Sequence, residues 1–111
     1  MEAGRRTLKE IYLIAEREGL KRDFGLRDQM RRAAVSVPTN IAEGFERHSR
    51  KEYLHFHYIA KGSIGELRSL LYVAREVGYL NDDEHQRLRE KARFLSGSIA
   101  NQIKAIAANP G

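Results

Sequence analysis

Apolar residues recur every three or four positions along most of the chain, the spacing of helices with one buried face. Four stripes stand out. The first holds Leu8, Ile11, Tyr12 and Ala15, and the second Leu26, Met30, Ala33, Val37, Ile41 and Phe45. The third holds Tyr53, Phe56, Ala60, Ile64, Leu67, Leu71 and Ala74, and the fourth Leu88, Ala92, Leu95, Ile99, Ile103 and Ile106. No segment alternates as a half-buried strand does. Capping signals bound the stripes. Thr7-Leu8-Lys9-Glu10 and Ser49-Arg50-Lys51-Glu52 read as capping boxes, Asn81-Asp82-Asp83-Glu84 as a looser one, and Asp23 as a further N-cap. Gly19, Gly78 and Asn109-Pro110-Gly111 mark helix ends. The expected helices span approximately 8–18, 24–47, 50–77 and 82–107. Short connections between them make the fold all-α, an antiparallel up-down four-helix bundle in a single domain over 1–111.

Pro38 interrupts the second stripe in "RRAAVSVPTNIAEG", where an interior proline costs about 3 kcal/mol. The apolar phase runs through it from Leu26 to Ile41, which predicts one kinked second helix, with small Ala33 and Ala34 leaving room for the bend. The competing reading is a break at Ser36, with Asn40 and Glu43 starting a new helix.

The third helix also carries Leu54, Tyr58, Tyr72, Val73 and Val77 off its main stripe. It is about 42 Å long against about 16 Å for the first, at 1.5 Å per residue. A short helix cannot cover that surface, so self-association is expected; the alternative is cover by kinks and loops within one chain. Gly62 and Gly65 suit close backbone approach, with Gly44 opposite them. Ser63 and Glu66 lie beside these small residues, where Ser63 suits a partly buried hydrogen bond and Glu66 or Glu43 an ion pair with Arg31 or Arg32.

Composition narrows the chemistry. The 111 residues suffice for one modest domain, and the absence of cysteine removes disulfides, thiolate metal sites and cysteine nucleophiles and fits a reducing cytoplasm. No apolar run spans a bilayer, and no secretory leader is recognisable. Twenty basic residues against fifteen acidic give a net charge of +5, which favours polyanions. "RHSRK" at 47–51 concentrates that charge in a loop, where Arg5, Arg6, Lys21 and Arg22 would extend it. Arg31, Arg32, Arg47, Arg50 and Lys51 are the candidate nucleic-acid contacts; a solvated surface is the plainer alternative. Tyr53 and Phe56 lie nearby, at core spacing rather than as stacking platforms.

Two other readings compete. His48, Glu52 and His55 have helical spacing for a metal site, but His48 precedes the helix cap, and no metal or other cofactor is expected. Arg50 and His55 reproduce the Arg-x4-His spacing of HEPN ribonucleases, in which histidine acts as acid or base; two fixed positions recur often by chance, so catalysis is not expected.

The segment 26–80, and above all "QMRRAAVSVPTNIAEG" followed by "AKGSIGEL", closely resembles the four-helix-bundle proteins encoded in intervening sequences of bacterial 23S ribosomal RNA genes. Their relatives include the accessory variability protein of diversity-generating retroelements. The resemblance implies an antiparallel four-helix bundle assembling as a homopentamer with a basic surface or channel. In the retroelement relatives it implies binding to nucleic acid and a reverse transcriptase. Arg31, Arg32, Ser36, Pro38, Asn40, Glu43 and Gly44 match its second-helix motif, and Gly62, Ser63 and Glu66 its third-helix motif, none with a catalytic role. Its usual long first helix and following Phe-Pro segment are missing here. The expectation is thus a non-enzymatic oligomer, with no membrane association, that binds RNA or a ribonucleoprotein. A structural oligomer with a protein partner and a HEPN-like ribonuclease are the alternatives.

Overall fold

The computed structural model describes residues 2–108, with side chains from residue 4. Five helices follow in order: α1 (Glu2–Ile14), α2 (Glu18–Arg22), α3 (Phe24–Phe45), α4 (Arg50–Glu76) and α5 (Asp82–Ala108), with no strand among the described residues. The expected end of the last helix at Asn109-Pro110-Gly111 lies outside the described residues. α3 packs on α4, α4 on α5, and α1 on both α3 and α5, while α2 rests on α3. One hydrophobic cluster joins them, with Ile11, Leu20, Met30, Ile64, Leu71, Leu88 and Ile99 fully enclosed. The molecule is elongated, 49 × 23 × 20 Å, because α4 and α5 are each 27 residues long.

Three of the expected caps form. Ser49 Oγ accepts from Glu52 N at 3.1 Å, and Asp23 Oδ1 accepts from Leu26 N at 3.2 Å. Asn81 and Glu84 make the full reciprocal box, Glu84 N donating to Asn81 Oδ1 at 2.8 Å and Asn81 N to Glu84 Oε1 at 3.2 Å. Gly78 ends α4 at φ 90°, where Tyr79 N donates to Ala74 O at 2.8 Å and Gly78 N to Arg75 O at 3.0 Å, the Schellman arrangement.

The N-terminal third departs from expectation. α1 begins at Glu2, so Thr7 is a buried helical residue and not a cap. The chain turns at Ala15–Arg17 rather than at Gly19 and restarts as α2. Gly19 lies inside that short helix because Tyr79 crosses it: a Cβ there would meet the Tyr79 ring at 2.8 Å. The same tyrosine donates to Asp23 Oδ2 at 3.0 Å, and the carboxylate pushes its phenol pKa up. α2, the α3 cap and the α4–α5 turn are thereby tied together.

α3 runs unbroken through Pro38, so no second helix starts after Ser36. A polar network crosses to α4 here. Ser36 Oγ and Ser63 Oγ share a hydrogen bond of 2.8 Å, Ser63 Oγ donates to Ile59 O at 3.2 Å, and the Asn40 amide donates to Ser36 O and Oγ at 2.8 and 2.9 Å. Gly44 allows the close approach, but against Tyr53, Phe56 and His57: a Cβ would come within 3.3 Å of His57 Nδ1. Gly62 and Gly65 face open space, with no atom within 4 Å of a Cβ, contrary to their expected packing role within the chain. Phe45, expected in the core, is 61% exposed at the last residue of α3, where the groove between α1 and α3 opens.

Two outcomes follow for stability. Gly62→Ala and Gly65→Ala each raise the denaturant midpoint, by up to about 1 kcal/mol, since neither glycine has intrachain packing to lose; Gly19→Ala lowers stability by about 1 kcal/mol or more by displacing Tyr79. Glu84, whose carboxyl is held down to about 2 by Arg17 and by the Asn81 amide, stabilises the fold fully above its usual 4.5, and that contribution is lost as pH falls towards 2. Thermal melts of Glu84→Gln between pH 2 and 5 therefore show a shallower acid loss than wild type.

Candidate nucleic-acid interface

The predicted cations occupy different environments. Arg31 is half-buried, pairs with Glu16 and lies over the Tyr12 ring at 5.3 Å, so it joins α3 to the end of α1. Neither Glu66 nor Glu43 is its partner: Glu43 binds Arg47 at 2.7 Å one helical turn away, and Glu66 is exposed without a partner among the described residues. Arg47 also sits over Phe56 at 4.7 Å. Arg32, Arg50 and Lys51 are exposed and have no ion-pair or hydrogen-bond partner among the described residues. Arg50 and Lys51 occupy the first turn of α4, where the positive end of the helix disfavours cations. Helix electrostatics thus gives no reason for their presence.

Arg22 is held by Glu18 at 2.5 Å, so the extension of this patch along α2 is partly neutralised. His48 and His55 are exposed, and among the described residues no group of three His, Asp or Glu side chains converges to hold a metal ion. Arg50 and His55 make no contact with each other through a hydrogen bond; His55 instead meets Phe56 edge-on at 5.4 Å. His57, which no sequence signal singled out, is the enclosed histidine: it stacks on Tyr53 at 4.3 Å, and its Nδ1 lies 3.1 Å from Tyr53 O.

Grooves run between neighbouring helices, and two of them bear on the site. Between α1 and α3 a mostly apolar one of about 640 Å³ is lined by Leu8, Tyr12, Val35, Pro38, Ile41 and Phe45. Between α4 and α5 an open one of about 770 Å³ is lined by Arg68, Ser69, Tyr72, Arg75, His85 and Arg89. The second was missed in the sequence because its cations are dispersed. Arg68 and Arg75 sit seven apart on α4 and Arg89 lies on α5, and only the packing of α4 on α5 gathers them beside His85. His85 is buried; desolvation, then Arg75 and Arg89, pushes its pKa down. Of the five off-stripe residues expected to lie uncovered, Tyr58, Tyr72, Val73 and Val77 are exposed, whereas Leu54 packs against the core.

Among the described residues no helix is long and apolar enough to cross a membrane. A search among curated proteins gave no match. A family model described as 23S rRNA-intervening sequence protein matches residues 1–101. That span takes in every helix of the bundle except the last turns of α5, including the Ser36–Asn40–Ser63 network and both of these grooves. The chain therefore belongs to the 23S rRNA-intervening sequence protein family.

Proposed function

We propose that this protein is a non-enzymatic oligomer that binds RNA or a ribonucleoprotein through a basic surface. The observation that carries the reading is the uneven pairing of charge. Glu10, Glu16, Glu43, Glu76 and Glu84 are drawn into ion pairs within the chain, while Arg32, Arg50 and Lys51 stand exposed without an acidic partner among the described residues; Glu46, Glu52, Glu66 and Asp83 are the acids likewise left unpaired. Such cations suit phosphate contacts with no base-specific module, so binding is directed at the backbone and falls with salt.

The architecture proposed for the four long helices is an antiparallel up-down bundle, kinked at Pro38. Arg17 pairs with Glu84 and Glu10 with Arg87, so positions descending along α1 and the turn after it meet positions ascending along α5. Such a bundle leaves Tyr12, Val35 and Phe45 exposed along the α1–α3 groove and Tyr58 at 60% exposure on α4. These faces support self-association, proposed as a homopentamer in line with the resemblance to the accessory variability protein. Five copies would also pool weak cationic patches into one avid surface. Fully structural assembly with a protein partner, and RNA cleavage by Arg50 and His55, are the competing outcomes.

Sedimentation velocity at micromolar concentration is expected to give a single pentameric species; a monomer rejects the assembly. RNA affinity is expected to fall steeply with salt in a log–log plot, and absence of binding at low salt rejects the RNA claim in favour of a protein partner. RNA incubated with wild type and His55→Ala is expected to stay intact in both, and cleavage by wild type alone would make the protein a ribonuclease.

A further inference from the structure

We propose that the groove between α4 and α5 is a phosphodiester-binding site, in which Arg68 and Arg89 grip an RNA backbone phosphate from opposite walls. The inference rests on the RNA reading above but places the contact away from the α3–α4 loop. Three observations meet there. First, Arg68 and Arg89 have no carboxylate partner among the described residues, although Arg75 beside them binds Glu76 at 2.7 Å and lies 3.7 Å from Asp82. The lining holds three arginines and no carboxylate, and two of the three, Arg68 and Arg89, have no acidic partner among the described residues, so an anion entering it meets uncompensated charge there.

Second, His85 is 93% enclosed by the same walls, yet its imidazole has no hydrogen-bond partner among the described residues and meets Tyr72 only ring to ring at 6.2 Å; its backbone N–H is the one group bonded, to Asn81 O at 3.0 Å. The groups around it are Arg75 and Arg89 on the cationic side and Asp82 and Glu76 on the acidic side. A bound phosphate would offer the imidazole an acceptor and favour its charged form. Third, Gly65 lies on the groove wall one turn before Arg68 and Ser69, in a helix interior where glycine is unfavourable and where no part of the chain needs the space. Its bare backbone lets a sugar-phosphate lie close to α4; the exposed Ser69 hydroxyl donates instead to Gly65 O at 3.4 Å. Arginine suits this task because its planar fork binds two phosphate oxygens at once. At about 770 Å³ the groove is within the range of ligand-holding clefts, roughly 300–1,000 Å³.

The test uses the full chain, the variant R68Q/R89Q and the charge-matched variant R93Q/K104Q, whose residues are exposed outside the groove. Binding of a single-stranded RNA oligonucleotide is measured by fluorescence anisotropy across salt, and the His85 imidazole is titrated by NMR with and without millimolar pyrophosphate. R68Q/R89Q is expected to lose at least tenfold in affinity at low salt and to flatten the log–log salt slope by about 1.4, two contacts at about 0.7 each for a single strand. R93Q/K104Q is expected to change affinity by less than threefold. Pyrophosphate is expected to raise the His85 pKa in wild type and to leave it unmoved in R68Q/R89Q. RNA binding that is equal in wild type and R68Q/R89Q overturns the groove and leaves the RNA reading standing. A His85 response to pyrophosphate in a wild type that binds no RNA overturns the RNA reading and supports the groove as an anion site. Silence in both measurements overturns both. Circular dichroism of each variant separates these results from loss of fold.

Discussion

The closeness of α3 to α4 is the constraint on which the rest of the molecule depends. Two long helices can approach this tightly only where side chains are small, and the facing surfaces supply Ser36 against Ser63 and Gly44 against Tyr53, Phe56 and His57. Small residues alone would leave the register loose. The Ser36–Ser63 hydrogen bond, reinforced by Asn40, fixes it, because a buried hydroxyl displaced by one turn would lose its partner. Pro38 lies on the wall of the α1–α3 groove, so its missing N–H falls away from the Ser36–Ser63 seam. With that seam set, α5 and α1 complete the core by apolar packing that is less demanding in shape.

Much of this was legible from spacing and caps. Asp23, Ser49, Asn81 and Gly78 delimit three long helices because each cap is a local event: one side chain or one left-handed residue completes a bond to an amide or carbonyl a few positions away. Tertiary contacts defeated the same reasoning elsewhere. Gly19 looks like a helix end, yet its identity is dictated by Tyr79, sixty residues on, and local pattern cannot carry that distance. Thr7 followed by Glu10 satisfies the capping-box rule, but the helix starts earlier and the threonine turns inward. Glycine in a helix predicts close packing at Gly62 and Gly65, and no neighbour inside this chain meets either one.

The candidate sites show the same division. Arg50 and Lys51 were visible as a run in a loop, whereas Arg31, adjacent to Arg32, serves the fold by pairing with Glu16, a choice no one-dimensional pattern distinguishes. The α4–α5 groove is the clearest case of information created by folding. Its arginines are separated by up to twenty-one positions, and they form one electrostatic feature because two helices lie side by side. Dispersed charge of this kind also carries little cost in the unfolded chain, where the cations are far apart and screened.

The two ends of the rod are fastened very differently. At one end Tyr79 bonds Asp23, Arg17 pairs with Glu84, and Leu20 and Leu80 are enclosed, so three helices and the α4–α5 turn share one knot. At the other, α1 is about 20 Å long beside an α5 of about 40 Å, and the first residues of α4 lie over exposed Phe45. Backbone amides near the knot should therefore exchange with deuterated solvent only through global unfolding, while those in the last turns of α5 exchange by fraying. The molecule opens like a rod clamped in a vice at one end, and any partner that grips the loose end will slow that fraying most.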